Sequence, residues 1–271
     1  MRMRESRVLA KLRSGSAASC LKVNFGDGQA AEIASMAGFD CLWIDQEHLA
    51  QDWSVLNSQI WAAKAHNVDV MVRVPRGSYS GYVKPLEMDA TGIMVPHIMN
   101  LEEAKQVIQM TRFHPIGRRA IDGGSADGAY TNMDFGDYLK DSNTQKFLVL
   151  QIEDPEVLPD IEAIAALDGV DMLFFGPGDF SQGIGAPGEW DHPRLIEARK
   201  LVASVANKYG KFAATSGGID SLDSFLEMGY GFVNVGADIV GLSGYCKNLI
   251  ERFGKSVPGT LLSSPPPGKP Y

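Results

Sequence analysis

The chain alternates apolar, β-type segments with helical patterns over most of its 271 residues. Only a crossover helix returns the chain to the same end of a sheet, so strict alternation predicts parallel strands. Eight such units predict an α/β protein of one domain, a closed (β/α)8 TIM barrel. The predicted strands cover residues 20–24, 41–45, 68–74, 92–96, 147–153, 172–175, 211–215 and 232–235. Helical patterns cover residues 29–37, 55–65, 101–111, 155–166, 193–209 and 221–228.

Three segments lie outside this alternation. Val8, Leu9 and Leu12 share one face of a short amphipathic helix, which we expect to open a barrel domain of residues 1–262. Residues 114–143 are rich in Gly, Asp, Ser and Arg, and they are predicted to form a long loop of the kind that often contacts substrate. Residues 263–271 contain three consecutive prolines and are predicted to be a disordered tail.

The composition excludes several classes of protein. The formal net charge is −8 and no basic stripe is visible, so nucleic acid is not an expected partner. Three widely spaced cysteines argue against a disulfide framework or a zinc knuckle, and they favour a reducing compartment. The N-terminal residues lack the apolar core of a signal peptide, and no apolar run reaches membrane-spanning length. We therefore expect a cytoplasmic protein with no membrane partner.

Charged side chains follow four of the predicted strands, at the point where each strand ends. The C-terminal ends of the strands in a closed parallel barrel converge on one rim, so we expect these side chains to lie close together. At one rim, two carboxylates, a histidine and an arginine would form a divalent-metal site with a base and a binding group for an anion. The motifs are Asp45-Gln46-Glu47-His48, Val72-Arg73-Val74-Pro75, Gln151-Ile152-Glu153-Asp154 and Phe175-Gly176-Pro177-Gly178-Asp179.

Glu153 and Asp179 are the candidate metal ligands. Gln151 and Glu153 are two residues apart on one strand, so both face the same side. If that side is the barrel interior, a buried Glu153 needs a cation. Asp179, after the next strand, adds a second oxygen ligand, which suits Mg²⁺ or Mn²⁺. The alternative is a structural ion pair between Glu153 and Arg73, and the residues alone leave both interpretations open.

Asp45, His48 and Arg73 are candidates for catalysis at the same rim. An aspartate that holds an imidazole raises its basicity, which suits a general base, although a histidine in a loop is often only a surface residue. Arg73 interrupts an apolar run, and it either binds a carboxylate or enolate oxygen or closes the barrel with a salt bridge. The glycines at 176 and 178 either let backbone N–H groups approach an anion or form an ordinary turn.

Other polar positions give weaker signals. His97 follows the fourth strand, and it either lines the site or packs in the core. The turns at 215–218 and 235–238 follow strands seven and eight, where barrels often bind phosphate, although their glycines also suit plain turns. The sequence contains neither a G-x-S-x-G elbow nor a Walker loop, so a serine hydrolase or a P-loop enzyme has no support.

The combination of these motifs resembles the HpcH/HpaI class II aldolases, the metal-dependent pyruvate aldolases. That family includes 4-hydroxy-2-oxo acid and 2-dehydro-3-deoxy sugar acid aldolases. The resemblance extends from about residue 6 to residue 254 and, besides the rim motifs, includes Ala31-Glu32-Ile33-Ala34 and Ala37-Gly38-Phe39-Asp40. The Phe174-Phe175 strand end and the Gly178-Asp179 pair also resemble macrophomate synthase.

The resemblance implies a TIM barrel of the phosphoenolpyruvate/pyruvate-binding type, in a hexamer of three dimers that exchange their last helix. It implies reversible cleavage of a 4-hydroxy-2-oxo acid to pyruvate and an aldehyde, through an enolate stabilised by Mg²⁺, Mn²⁺ or Co²⁺. The resemblance implies that Glu153 and Asp179 bind the metal and that Gln151 lies near the metal's water. It implies that His48 transfers a proton with support from Asp45 and that Arg73 contacts the pyruvate oxygens. It also implies that the amides of Gly178 and Asp179 bind the pyruvate carboxylate.

Two other functions stay open at this level. An enzyme with the same metal and the same enolate could act chiefly as an oxaloacetate-type 2-oxo acid decarboxylase, in the manner of macrophomate synthase. A barrel of another functional class would bind a small carboxylate without turnover, and its acid–base residues would then be idle. The joint presence of the full residue set favours the aldolase.

Overall fold

The computed structural model describes residues 1–257, so the end of the predicted barrel domain and the predicted tail lie outside the described residues. Eight parallel strands form a closed barrel in chain order, and the last strand pairs with the first. The predicted (β/α)8 TIM barrel is therefore confirmed. The strands are β1 (Ala18–Val23), β2 (Cys41–Asp45), β3 (Asp69–Arg73), β4 (Gly92–Val95), β5 (Phe147–Ile152), β6 (Met172–Phe175), β7 (Phe212–Ser216) and β8 (Tyr230–Ala237).

Helices follow the strands and cover the outside of the barrel. Five of the six predicted helices are present with ends that differ by at most two residues. The sixth, 155–166, is a 3-10 helix that continues into α7, and Pro159 inside it accounts for the irregular first turn. The helices are α1 (Arg7–Arg13), α2 (Gly28–Met36), α3 (Trp53–Ala65), α4 (Tyr79–Glu87), α5 (Leu101–Thr111), α6 (Phe135–Gln145), α7 (Ile161–Ala165), α8 (Pro177–Gly183), α9 (Pro193–Lys208), α10 (Leu222–Glu227) and α11 (Asp238–Ser256).

Side chains of each strand alternate between the barrel interior and the surrounding helices, because successive residues of a strand point to opposite faces. On β2, Cys41 and Trp43 belong to the interior cluster, whereas Leu42 and Ile44 belong to the outer cluster under the helices. Asp45 continues the interior set at the end of the strand and is fully buried. Polar side chains at the strand ends therefore lie on top of a packed apolar core.

The short helix α1 closes the N-terminal end of the barrel. Val8, Leu9 and Leu12 are buried in the interior cluster, as the sequence predicts. The Ser6 side chain caps α1 by accepting a hydrogen bond from the Leu9 N–H. Ser6 Oγ also donates to Asp69 Oδ2 at 2.6 Å, which ties the start of the helix to β3.

The segment 114–143 is only in part the loop that the sequence predicts. A short 3-10 helix occupies Ala126–Thr131, and α6 fills the end of the segment with Asp134 as its N-terminal cap. Two of the three residues that α6 buries are polar, Asp141 and Ser142. The sequence therefore lacks the apolar periodicity that would have predicted a helix there.

Helix α11 extends for 19 residues and buries none of them. Its large apolar side chains are exposed although an amphipathic helix gains most of its stability from packing of its apolar face. These side chains are Ile239, Val240, Leu242, Tyr245, Leu249, Ile250 and Phe253. In residues 1–257, no helix combines the length and the apolar character needed to span a membrane.

Candidate active site

The C-terminal rim of the barrel begins with a buried ion pair. Strand register places Asp45 of β2 beside Arg73 of β3. Arg73 donates to the Asp45 carboxylate from Nε at 3.0 Å and from Nη2 at 2.5 Å, a two-point contact that fixes both side chains. The exposed fraction of the side chain is 5% for Arg73 and 0% for Asp45.

Lys22 adds a second cation to this pair. Its Nζ lies 2.8 Å from Asp45 Oδ2 and 4.8 Å from the centroid of the Trp43 ring. Burial alone would raise the pKa of Asp45, but the Arg73 and Lys22 charges outweigh burial and hold that pKa well below its usual range. Asp45 is therefore ionised at neutral pH and holds two cations at the rim.

The His48 ring has different neighbours from those that the sequence predicts. Asp45 Oδ1 accepts hydrogen bonds from the backbone N–H groups of Glu47 at 3.1 Å and His48 at 3.4 Å, and among residues 1–257 no contact joins its carboxylate to the ring. These bonds shape the turn after β2 and leave the His48 side chain 59% exposed. Glu47 contacts the ring instead, with Oε2 3.5 Å from His48 Nε2 and 3.1 Å from Arg73 Nε.

Glu153, just after β5, is buried with a 1% exposed side chain. Its Oε1 accepts a hydrogen bond from the His97 backbone N–H at 3.0 Å, and its Oε2 accepts one from the Gln151 amide. Residue 176 must be a glycine here, because a Cβ would lie 2.6 Å from Glu153 Oε2. Burial is the largest effect on the pKa of Glu153 and raises it, and the charge of Asp179 raises it further. His97 and Arg73 lower this pKa in part, and the result is a pKa of about 7.

Three side chains at this rim could hold a metal ion together. His97, Glu153 and Asp179 each offer one ligand atom, and all of these atoms lie within 4.8 Å of one another. Two carboxylates and an imidazole fit a divalent cation. Gln151 Oε1, beside this cluster, is a buried acceptor with no partner in residues 1–257. Arg73 pairs with Asp45 and Glu47, and no ion pair in the described chain joins it to Glu153, so Glu153 lacks the structural partner that the sequence left open.

The backbone of His97 is in a left-handed conformation, with φ at 51°, which is uncommon for a residue that carries a Cβ. This conformation directs the His97 N–H to Glu153, while ring atom Nδ1 lies 3.0 Å from Asp154 Oδ2. Burial lowers the pKa of His97, but Asp154, Glu153 and Glu47 outweigh burial and raise that pKa. The ring therefore lies between three carboxylates at the rim.

The glycine-rich motif after β6 begins a helix, α8, with Pro177 as its first residue. The first N–H groups of a helix have no acceptor inside the helix, so the amides of Gly178 and Asp179, which have no partner among residues 1–257, can meet an anion. A Cβ at Gly178 would touch nothing within 4 Å, so the space in front of this backbone is open.

Comparison with known proteins agrees with this geometry. The sequence profile of the HpcH/HpaI aldolase/citrate lyase family matches residues 23–243. The chain belongs to this family. A hydroxypyruvate/pyruvate aldolase from Pseudomonas aeruginosa is 31% identical over 260 residues, which cover 96% of this chain and 97% of the relative. A 5-keto-4-deoxy-D-glucarate aldolase from Klebsiella pneumoniae is 30% identical over 225 residues, which cover 83% and 87% of the two chains.

Among solved structures, macrophomate synthase superimposes on this HpcH/HpaI family member with a TM-score of 0.81 at 25% sequence identity, covering 94% of this chain and 90% of the other. The family that the sequence motifs indicate is therefore confirmed, together with the likeness to macrophomate synthase. The chain is an enzyme of the class II aldolase type. The divalent-metal dependence of such aldolases agrees with the cluster of His97, Glu153 and Asp179.

The motifs of this HpcH/HpaI chain predict no role for Lys22 or Glu47 and give only a weak signal for His97. Lys22 interrupts an apolar strand just as Arg73 does, so the same signal could have found it. Glu47 and His97 lie in irregular segments after strands, and only the folded backbone shows which way their side chains point.

Proposed function

We propose that this chain is a metal-dependent class II aldolase that reversibly cleaves a 4-hydroxy-2-oxo acid to pyruvate and an aldehyde. The observation that carries the proposal is the close approach of His97, Glu153 and Asp179 on the rim that also holds Arg73. The names of two relatives, a hydroxypyruvate/pyruvate aldolase and a 5-keto-4-deoxy-D-glucarate aldolase, support pyruvate and a hydroxylated oxo acid as the reactants. Mg²⁺, Mn²⁺ and Co²⁺ all suit the ligand set.

In this proposal Glu153 and Asp179 hold the metal ion, and His97 is a third donor. When bound, the divalent cation supplies Lewis-acid polarisation of the 2-oxo acid. Gln151 positions the Glu153 carboxylate through its amide. The free amides of Gly178 and Asp179 bind the carboxylate of the 2-oxo acid.

In the proposed reaction, Arg73 stabilises the negative charge of the enolate and His48 transfers the proton of the 4-hydroxyl. Arg73, fixed by Asp45, holds a positive charge at the rim before the reaction begins, so the developing enolate needs no rearrangement of the protein. His48 accepts the proton of the 4-hydroxyl as the C3–C4 bond breaks. The bonding electrons pass to the enolate of pyruvate, whose C3 then takes up a proton. Asp45 supports His48 through the backbone of the turn.

We also propose the hexamer of three dimers, with exchange of α11. A groove of about 500 Å³ opens on the barrel beside β8, lined by Phe39, Leu222, Leu226, Val233 and Val235. The exposed apolar face of α11 from a second copy would fill such a groove. A mass of six chains in light scattering would support this assembly, and a monomer would contradict it. The cytoplasmic location stays a proposal that rests on composition.

A second candidate function is decarboxylation of an oxaloacetate-type 2-oxo acid. The similarity to macrophomate synthase favours it. Loss of CO₂ from such an acid leads to the same enolate, so the same side chains would act. The two functions differ in which bond of the substrate breaks.

A panel of 2-oxo acids tests the proposal. Metal-loaded protein is incubated with 4-hydroxy-2-oxo acids of increasing length and with oxaloacetate, and aldehyde, pyruvate and CO₂ are measured with and without EDTA. The proposal expects equal amounts of aldehyde and pyruvate, and no product in EDTA. Release of CO₂ without aldehyde would favour the second candidate, and full activity in EDTA would contradict both.

A further inference from the structure

A second cavity lies at the C-terminal end of the barrel, after β7. Its volume is about 460 Å³, within the range of sites for small molecules. The cavity lies between α9 and α10, and one wall is Pro177, the residue before Gly178 and Asp179. It contains the turn after strand seven, a place where TIM barrels often bind phosphate. Its polar lining includes Asp191, Arg199, Ser216, Ser221 and Ser224.

Arg199 is a cation whose N–H groups have no acceptor within residues 1–257. Within residues 1–257 its side chain forms neither a hydrogen bond nor an ion pair, and its Nε is buried without a partner. The guanidinium carbon lies 5.8 Å from the centroid of the Phe175 ring and 5.5 Å from that of Phe225. Aromatic faces hold a guanidinium by cation–π attraction but do not replace an oxygen acceptor. The side chain is therefore held in place at the cavity with unused donors.

The rest of the lining adds donors and space. In the part of the chain that the structure describes, the hydroxyls of Ser216, Ser221 and Ser224 make no hydrogen bonds, so each can donate to a ligand. A Cβ built at Gly218 would meet nothing within 4 Å, so the cavity stays open at the turn. The exposed Trp190 forms an apolar wall. Such a lining suits an anionic group attached to a small organic molecule.

One acidic residue, Asp191, also lines the cavity, but its carboxylate is more than 4.0 Å from the Arg199 nitrogens and forms no ion pair with them. Burial lowers the pKa of Arg199, and Tyr230 and Asp191 offset this only in part. A partly desolvated cation gains free energy when a directly bonded anion is supplied. Asp191 at its longer distance does not supply that contact.

We propose that this cavity binds the carboxylate or phosphate group of a small molecule, with Arg199 as its charge partner and the hydroxyls of Ser216 and Ser224 as further donors. The anion has two possible sources. It is either the far end of the aldehyde half of the substrate, which rests on the proposed function, or a separate effector. The chemistry of recognition is the same in both cases, because a planar guanidinium pairs with either kind of oxyanion.

Calorimetric titration of the full-length, EDTA-treated chain with inorganic phosphate tests the site directly. We expect saturable binding at one site, and Arg199→Gln should weaken it at least about tenfold. Arg194→Gln, on the same helix but outside the cavity, should leave the affinity unchanged. Absence of saturable binding to the wild-type chain, or equal affinity of wild type and Arg199→Gln, would overturn the proposal.

A second variant covers the case in which Arg199→Gln fails to fold. Ser224 is exposed at the cavity, so Ser224→Asp adds a negative charge with little strain and should also weaken phosphate binding at least about tenfold. Unchanged affinity in this variant would likewise overturn the site. Because phosphate binding is measured without turnover, a chain with no aldolase activity would still report on the cavity.

Kinetics in the condensation direction separate the two sources. If the cavity binds the substrate, phosphate should inhibit competitively against an aldehyde that carries a terminal carboxylate. Arg199→Gln should then raise the KM for that aldehyde but not the KM for a neutral aldehyde. Noncompetitive inhibition that disappears in Arg199→Gln assigns the cavity to an effector. Either pattern supports the anion site.

Discussion

The two ends of the barrel use charge in different ways. At the N-terminal end each buried carboxylate has several partners: Asp69 accepts from Arg4, Ser6 Oγ and the Val8 N–H, and Asp40 pairs with Arg7 and Lys11. At the C-terminal end Glu153 and Asp179 lie close together, and neither has a lysine or arginine partner in residues 1–257. The cations there, Arg73 and Lys22, share the carboxylate of Asp45, and Arg73 also contacts Glu47.

This difference indicates that the N-terminal end of the barrel serves stability and the C-terminal end serves function. Complete pairing at the N-terminal end satisfies the buried charges and fixes α1 over the core, so that end contributes to folding. Incomplete pairing at the C-terminal end leaves carboxylates that a metal ion would complete, in a region that also holds the left-handed backbone of His97. Substitutions at the two ends should therefore have different consequences.

The largest expected effect is the loss of turnover in Glu153→Gln. The amide cannot replace a carboxylate ligand, so we expect a loss of bound metal and a decrease of about a thousandfold or more in kcat. The melting temperature should not fall, because a neutral group is easier to bury than a carboxylate. Metal analysis, steady-state kinetics and thermal melting check this. Glu162→Gln, at an exposed pair with Lys208, is the matched control and should behave as wild type. If Glu153→Gln binds as much metal as the wild-type protein, Glu153 is not a metal ligand and the contrast between the two ends is wrong.

The next largest effect is expected at Asp45, which lies at the C-terminal rim but, unlike Glu153, is fully paired. Asp45→Asn leaves Arg73 and Lys22 without their shared carboxylate and should cost about 3 kcal/mol of unfolding free energy at pH 7. The folded-state pKa of Asp45 lies below its ordinary value of 3.8, so its stabilisation is present above about pH 4 and is lost as the pH falls towards the folded-state pKa. Urea unfolding at pH 7, 5 and 3 should show a wild-type advantage that narrows only at pH 3. An advantage that already narrows between pH 7 and 5 would contradict this assignment.

At the opposite end, Asp69→Asn should lower the free energy of unfolding by about 2 kcal/mol, since Arg4 is partly exposed and solvent screens its loss. The kcat at 25 °C should be unchanged, because the side-chain partners of Asp69 within residues 1–257 lie around α1, away from the rim. Urea unfolding and kinetics measure the two quantities. Asp137→Asn, at an exposed ion pair of the same end, is the control for surface charge. A decrease in kcat that corresponds to the same free energy as the loss of stability would show that the two ends are not independent.

The smallest effect concerns the metal. His97→Asn keeps a residue that tolerates the left-handed backbone but removes the imidazole donor. We expect about tenfold weaker binding of Mn²⁺ or Co²⁺ and a smaller change for Mg²⁺, which prefers oxygen ligands. Direct metal titration checks the affinities, and nitrogen coupling in the electron spin resonance of bound Mn²⁺ should be lost. Equal coupling in both proteins would remove His97 from the ligand set.

The sequence predicted the barrel because its signal is local and repeated. Each apolar strand, such as the one from Phe147, can be read within a few residues, and its closing carboxylate or arginine follows directly. Parallel closure then brings Asp45, Arg73, Glu153 and Asp179 to one rim without further information.

Other features depend on register and backbone geometry, which the sequence does not encode locally. His48 is near Asp45 in sequence, but strand pairing places Arg73 beside Asp45 and occupies the carboxylate. His97 approaches Glu153 because its own φ is positive. Arg199 lies in the middle of a regular helix, where an arginine ordinarily faces solvent, so only the fold shows that it lines a cavity.

The most direct test of the central claim is enolate formation without any aldehyde. Pyruvate is incubated with the protein in D₂O, and deuterium uptake at C3 is followed by mass spectrometry. We predict exchange in the presence of Mg²⁺ or Mn²⁺, none in EDTA, and none with Glu153→Gln. Exchange at the full rate in EDTA, or the absence of exchange in the metal-loaded wild-type protein, would contradict the claim that this rim is a metal-dependent enolate site.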